Sequence, residues 1–292
     1  DDSTNKVILS PNPYRDKGFK TAQAAQRILT ELGVETRMCL PFNVDRNFEL
    51  PKQIKLYDLN QELKEADMLI CFGGDGTILH SSKQATLNQV PILCVNVGTM
   101  GFMAELESNE LGLLEKAVRG EYTLDNRLML DVQVRRGEEV LYEDIALNDA
   151  VVTKGAIARE IQLQVLCDGV QATEPSGDGV IVCTPTGSTA YSLSAGGPVV
   201  DPTIETVLLT PICTHSLFAR SMMFRPEKTL TVEIRNPELC LPLLSCDAEE
   251  SVHISKGSTF LIRRASRNCK IIRIKAESFT DILSRKMVER RV

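Results

Sequence analysis

The run Asp67-Met68-Leu69-Ile70-Cys71-Phe72-Gly73-Gly74-Asp75-Gly76-Thr77 decides the fold. Its apolar part, DMLICF, is too short for a helix and stops at two glycines, as a buried strand does. Thr77 to Asn88 follows with a helical pattern, so the glycines occupy a strand-to-helix turn. Upstream, Lys6 to Ser10 (KVILS) reads as another short buried strand. Phe19 to Leu32 reads as a helix, with Ala24, Ala25, Ile28 and Leu32 at helical spacing and Gly33 as its stop. Downstream, Pro91 to Val97 (PILCVNV) is a further strand. Strands alternating with helices predict a doubly wound α/β domain with a mainly parallel sheet. Ligands on such sheets sit beyond the carboxyl ends of the strands, where the glycine clusters fall here.

After about Tyr122 the pattern changes. Leu128, Leu130, Val132 and Val134 alternate with Met129, Asp131, Gln133 and Arg135, and Gly137 marks a turn towards a return strand at Val140 to Ile145. Ile161, Leu163, Val165 and Cys167 alternate up to a turn at Asp168-Gly169. Thr229 to Arg235, Thr259 to Arg264 and Ile271 to Lys275 are further strand-like runs. Ser278 to Arg290 returns to helical period, with Phe279, Ile282, Leu283 and Met287 on one face. The expected division is an α/β domain over 1–122, joined by a returning C-terminal segment over 276–292, and a β-rich domain over 123–275.

The chain has 292 residues, enough for about two domains. Lys plus Arg is 33 against 39 Asp plus Glu, a net charge of −6, which argues against a general nucleic-acid binder. No apolar stretch approaches the ~18 residues of a membrane span, and the polar start at Asp1 to Lys6 does not read as a secretory signal. Nine cysteines, an odd number without C-x-x-C spacing, read as free thiols in a reducing, cytoplasmic setting. The three histidines, His80, His215 and His253, make no metal-binding spacing.

Two segments carry chemistry. In Gly73-Gly74-Asp75-Gly76-Thr77, glycines permit close approach of a phosphate to backbone N–H groups and allow φ > 0. The loop lacks the G-K-[ST] of a P-loop and the third glycine of G-x-G-x-x-G. A carboxylate at its centre suits proton acceptance from an attacking hydroxyl, or a metal beside phosphate, better than bare anion binding. The alternative is a glycine-rich turn with a solvated aspartate. The second segment runs from Ser176 to Gly197. Its strand, tight turn and hydroxyl-rich helix start suit an adenine and ribose, with Tyr191 as a flat face. It has no G-x-S-x-G for a serine nucleophile, and a packed turn with capping hydroxyls is the other reading.

These two segments, together with Asn96-Val97-Gly98-Thr99-Met100-Gly101-Phe102 and Asn148-Asp149, resemble the NAD kinases in order and spacing over most of the chain. The aspartate loop alone also resembles diacylglycerol kinases, sphingosine kinases and phosphofructokinases. The segment Thr184 to Ser194 is the specific part. The resemblance implies an α/β domain and a β-rich domain, NAD bound between them, and transfer of the γ-phosphate of ATP to the 2′-hydroxyl of the adenosine ribose. Asp75 would accept the hydroxyl's proton. Gly73, Gly74, Gly76 and Thr77 would form the nucleotide loop, and Asn148 and Asp149 would hold ribose hydroxyls. Thr189, Ala190, Tyr191, Ser192, Leu193 and Ser194 would line the pocket, with Tyr191 near adenine and Asp178 near the nicotinamide end. His80 and Arg159 fall at family contact positions, or are a helix-surface residue and a solvated charge.

Three positions depart from the family pattern. Ser176 stands where many members are basic, Asp149 where glutamate is usual, and Asp247-Ala248-Glu249 where many have Asp-Gly-Gln. Ser176 and Glu249 are still expected to contact nucleotide. His215 is read as structural. The implied ligands are ATP and NAD, with a divalent cation, Mg²⁺, held mainly by the donor's phosphates. The implied assembly is a homodimer or homotetramer, without nucleic-acid or membrane partners. A lipid or sphingoid kinase with the same loop, and a non-catalytic dinucleotide sensor, are the two alternatives.

Overall fold

A computed structural model of the chain describes residues 3–99, 101–156 and 159–289. Met100 of the Asn96–Phe102 motif, Arg290 of the expected last helix, and the terminal residues 1, 2, 291 and 292 lie outside the described residues. The chain divides into two compact units, Asp1–Asn126 with Cys269–Val292, and Arg127–Asn268.

The first unit is α/β. It runs β1 (Lys6–Pro11), α1 (Lys20–Glu31), β2 (Glu35–Cys39), β3 (Leu56–Tyr57), α2 (Leu59–Glu62), β4 (Met68–Gly73), α3 (Asp75–Leu87) and β5 (Ile92–Asn96). The sheet order is β3-β2-β1-β4-β5, then Cys269–Arg273, then Thr123–Arg127. β1 to β5 pair in parallel. Every residue of β4 and β5 is buried, as parallel strands covered on both faces require. Each large aliphatic side chain so buried is worth roughly 1.5–3 kcal/mol.

Helix α1 buries Ala22, Ala25 and Leu29, so the core face is turned from the expected one and Leu32 is left exposed. Gly33 stops the helix as expected, with φ +78°. Strand Cys269–Arg273, expected in the β-rich domain, instead pairs in parallel with β5 through Ile271 and Ile92. An alternating apolar run marks a strand but carries no information on its partner. The last helix, Phe279–Glu289, belongs to the first unit. Its Ile282 is buried and Phe279 packs near Phe102, while Met287, expected on the same face, is exposed.

The second unit contains two antiparallel sheets. One has the order Met222–Phe224, Val207–Ile212, Gly179–Cys183, Asp149–Thr153, Leu243–Cys246 and Val252–His253. The other has Val170–Thr173, Ile161–Cys167, Leu230–Ile234, Thr259–Arg264, Leu130–Arg136 and Glu139–Ala146. Inward residues of both sheets, among them Val132, Leu163, Val182, Leu209 and Phe260, form one core. The alternation from Leu128 holds except at Met129, which is fully buried because the strand starts only at Leu130. The expected turn at Asp168-Gly169 has φ +48° and +81°, the left-handed pair a two-residue hairpin demands.

Candidate functional site

In the first unit the chain winds outward in opposite directions from β1 and β4. A crevice therefore opens beyond the carboxyl ends of these two strands. Asn12 and Gly73-Gly74 stand there. Asn12 N–H donates to the Phe72 carbonyl at 2.8 Å, and its Nδ2 donates to Thr77 Oγ1 at 3.2 Å. These two bonds tie the β1 end to the glycine loop.

Helix α3 starts at Asp75, with Gly74 as its N-cap, two residues earlier than the pattern from Thr77 implied. Asp75 is thus a first-turn residue, where an acid is favoured by the helix dipole, and not the centre of an open loop. None of Gly73, Gly74 and Gly76 has positive φ. Gly73 is needed for space instead, since a Cβ there would lie 2.3 Å from Thr77 Oγ1.

The Asp75 carboxylate accepts from Phe102 N–H at 2.9 Å through Oδ2 and from Met103 N–H at 3.0 Å through Oδ1. The chain closes so tightly around it that a Cβ on Gly101 would fall 2.0 Å from Oδ1. The group is therefore fixed in orientation. The turn that holds it lies 27 and 28 residues away, at the end of the Asn96–Phe102 motif and just after it. His80 lies on the exposed face of α3, its ring 4.8 Å from that of Phe42.

In the second unit, Asp247 is the hub. Its buried carboxylate accepts from the N–H groups of Leu147, Asn148 and Asp149 at 2.8, 2.7 and 3.2 Å. Asp247 N–H in turn donates to the Asp149 carbonyl at 3.0 Å. The Asn148 carbonyl accepts from Thr184 N–H at 2.9 Å, which brings the Asn148-Asp149 pair against the Thr184–Ser194 segment. Asn148 Oδ1 is buried with no partner among the described residues, a polar atom that a ligand hydroxyl would satisfy. Asp247 and Ala248 both have left-handed φ, +53° and +56°. Glu249, next in the chain, is exposed; its N–H donates to the Cys246 carbonyl and its carbonyl accepts from Ser245 Oγ.

Burial, and then the charge of Asp247, push the Asp149 carboxyl up to about 7. Burial also raises Asp247, to about 6, against the pull of its three amide donors. A carboxyl whose folded value is raised is stabilising at low pH. It loses that contribution as pH climbs from the unfolded value of about 4 through the folded one. Asp149→Asn keeps the shape and removes the titration. The melting temperature of the variant minus that of the parent should therefore rise between pH 4 and 7 and level off above. A difference flat across that window would remove the buried titration.

The remaining expected residues fall as follows. Tyr191 opens a short helix, Tyr191–Ser194, and is 44% exposed. Thr189, Ala190 and Leu193 are half-buried and Ser194 is exposed. Ser192, expected in the pocket lining, is instead fully buried and its hydroxyl bonds Thr210 Oγ1 at 2.8 Å, so it packs into the core. Asp178 is half-exposed and pairs with Lys154 at 3.0 Å, and this pairing holds its carboxyl below the usual range. Ser176 Oγ is buried without a partner among the described residues. Arg159 is exposed in the loop beside the undescribed residues 157 and 158. His215, read as structural, has a side chain 81% exposed and lies 3.9 Å from Glu160. Among the described residues no group of three or more His, Cys, Asp or Glu could hold a metal ion.

Asn12 and Asp247 were not singled out for a role from sequence. The one available signal for Asn12 was its place at the carboxyl end of the first strand. Nothing local marks the role of Asp247, whose amide partners lie 98 to 100 residues earlier.

Comparison with known proteins agrees across the chain. The ATP-NAD kinase N-terminal domain matches residues 7–122 and the ATP-NAD kinase C-terminal domain matches 147–274. An NAD kinase from Caldanaerobacter subterraneus subsp. tengcongensis is 35% identical over 98% of this chain and 99% of its own length. Yeast NADH kinase, solved with NADH, superposes with a TM-score of 0.83 at 23% identity, covering 97% of this chain and 86% of its own. An NAD kinase from Archaeoglobus fulgidus, solved with ATP, has a TM-score of 0.71 at 25% identity, covering 96% and 98%.

Proposed function

The chain belongs to the NAD kinase family, and from that premise we propose that it transfers the γ-phosphate of ATP to the 2′-hydroxyl of the adenosine ribose of NAD, giving NADP. The observation that carries the reading is Asp75, clamped by the Phe102 and Met103 amides at the head of α3 and at the carboxyl edge of a parallel sheet. Phosphoryl transfer depends mainly on alignment and charge neutralisation. In this reading Asp75 aligns the ribose hydroxyl and takes its proton at a carboxylate oxygen. Gly73, Gly74, Gly76 and Thr77 shape the loop, and the Asp75 and Gly76 amides that open α3, which have no intrahelical partner, face the nucleotide.

The β-rich unit binds NAD. The unsatisfied Asn148 Oδ1 supports a ribose contact there, and the neighbouring Asp149 supplies a second. Thr189, Ala190, Leu193 and Ser194 stand beside Tyr191, which presents its ring to adenine. Asp178, with Lys154 supplying a basic group beside it, serves the nicotinamide end. Ser176, His80, Arg159 and Glu249 are further contacts in the proposal. Mg²⁺ bound with the donor would supply charge neutralisation at its phosphates, which fits a hard cation that keeps to oxygen ligands.

A homodimer or homotetramer in the cytoplasm completes the proposal; nine unpaired thiols are what a reducing compartment maintains. No helix among the described residues is long and apolar enough to cross a membrane.

The test is NADP formation from NAD, ATP and Mg²⁺, read through an NADP-specific dehydrogenase. No NADP above a no-enzyme control, with several donors tried, would sink the proposal. Tyr191 gives a second check. Base–aromatic stacking is worth roughly 1–3 kcal/mol, so Tyr191→Ala should weaken NAD binding by about tenfold or more with the fold intact. An unchanged dissociation constant by calorimetry would remove the adenine contact.

A further inference from the structure

The turn over 101–104 grips Asp75 but belongs to no helix or strand. The chain leaves β5 through Val97, whose N–H donates to the Gly73 carbonyl at 3.0 Å. It rejoins the sheet at Glu105, whose N–H donates to the Cys94 carbonyl at 2.9 Å, and Leu106–Glu107 then pairs in parallel with β5. A loop without a ladder of its own aims its amides only as well as the groups behind it allow. Met103 is held from both sides. Its N–H donates to Asp75 Oδ1 at 3.0 Å, and its carbonyl accepts from Arg273 Nη1 at 3.4 Å.

Arg273 ends the strand Cys269–Arg273, and each nitrogen of its guanidinium has an acceptor. Nη1 also reaches Glu105 Oε2 at 3.2 Å, and Nε and Nη2 each reach Asp125 Oδ2 at 3.4 Å. Glu105 is fixed in turn, because its Oε1 accepts from the Ile274 and Lys275 N–H groups at 3.3 and 2.8 Å. The Arg273 and Glu105 side chains are 14% and 5% exposed. All of these residues belong to the first unit. A buried ion pair is a weak device for stability, because desolvation of both charges offsets much of their attraction. What the guanidinium supplies is direction, since its donors lie in a rigid planar fork. One prong meets the carbonyl of the residue whose N–H meets Asp75, so only Met103 stands between the two charged groups.

We propose that Arg273 is a positioning residue for the phosphoryl transfer, holding the Met103 carbonyl so that the Met103 N–H keeps Asp75 Oδ1 in place as proton acceptor. The proposal rests on the kinase reading and names a residue that acts through Asp75 without touching substrate. Glu105 neutralises the guanidinium and fixes its plane, and Asp125 braces its far side.

The test is steady-state kinetics of the full chain with ATP and NAD varied separately. Arg273→Lys keeps a positive charge beside Glu105 but loses the fork. It should lower kcat about ten- to hundredfold, the scale of a small misplacement of a reacting group. KM for ATP and for NAD should stay within about twofold, as for a contact that matters only in the transition state. In an Asp75→Asn background the same substitution should change kcat by less than about twofold, because two residues acting through one group are not additive. Lys6→Met is the control for a merely structural role. It breaks the buried pair with Glu62, 2.7 Å, at the amino end of the same sheet, and should lower the melting temperature while leaving kcat alone. A kcat for Arg273→Lys within about twofold of the parent would overturn the proposal, as would an equal loss in both backgrounds. Glu105→Gln, which spares the acceptor for the Ile274 and Lys275 amides, takes its place should Arg273→Lys not fold, with the same outcomes. Should the parent make no NADP, the kinase reading falls alone, and amide hydrogen exchange decides the positioning. The Met103 amide should then exchange about tenfold faster in Arg273→Lys, the scale of one hydrogen bond, while the Leu93 amide of β5 keeps the parent's rate. Equal Met103 rates in parent and variant would overturn it.

Discussion

Asp75→Asn is expected to lower kcat by about 10²- to 10⁴-fold, the range for loss of a general base. Asparagine keeps the size of the group but cannot take the hydroxyl proton. NAD binding should survive, because most of the residues proposed to hold NAD are carried by the β-rich unit. A modest loss of melting temperature should accompany the change. The carboxylate accepts one amide at each oxygen, and the asparagine amide nitrogen would face one of those donors with a donor of its own. The two effects separate by observable. If Asp75 served only to anchor the Phe102–Met103 turn, stability would fall and kcat would stay within about threefold of the parent, far below the general-base range. That outcome would refute the catalytic assignment.

Asp247→Ala is expected to be strongly destabilising to the β-rich unit. It removes the shared acceptor of three backbone N–H groups at once. Each buried donor left without a partner costs about 1–3 kcal/mol, so the total is on the order of 3–5 kcal/mol after partial relaxation. Relief of the repulsion felt by Asp149 offsets part of that. NAD affinity should fall with it, since the Asn148-Asp149 backbone is positioned by the same carboxylate. Denaturant unfolding of the variant and of Glu249→Ala makes the comparison. Glu249 is exposed, and its change should stay within about 0.5 kcal/mol. An Asp247→Ala midpoint equal to that of Glu249→Ala would show that the amides find other partners.

What could be read in the chain follows the range of the physical signal. Strands β1, β4 and β5 were legible because fully buried parallel strands are continuous apolar runs, and their bounds came out within a residue or two. The Asp168-Gly169 hairpin was legible because a two-residue turn demands left-handed backbone. The core face of α1 and the start of α3 were not legible in the chain. Several small apolar residues in α1 fit more than one face, and glycines hide an N-cap that has no side chain.

The sequence by itself determined the α/β and β-rich composition of the two parts, the glycine–aspartate loop, and the family resemblance on the Thr184–Ser194 segment. These are local quantities: a period of 2 or 3.6, a turn residue, a motif. Tertiary structure alone decided that Cys269–Arg273 joins the first sheet, that Ser192 faces the core, and that Asp75 is clamped by amides 27 and 28 residues away. It also decided that Asp247 organises a backbone some hundred residues earlier. Hydrogen bonds between distant segments exist only once the sheets have closed, because what orients each donor is the packing of the strands that carry it.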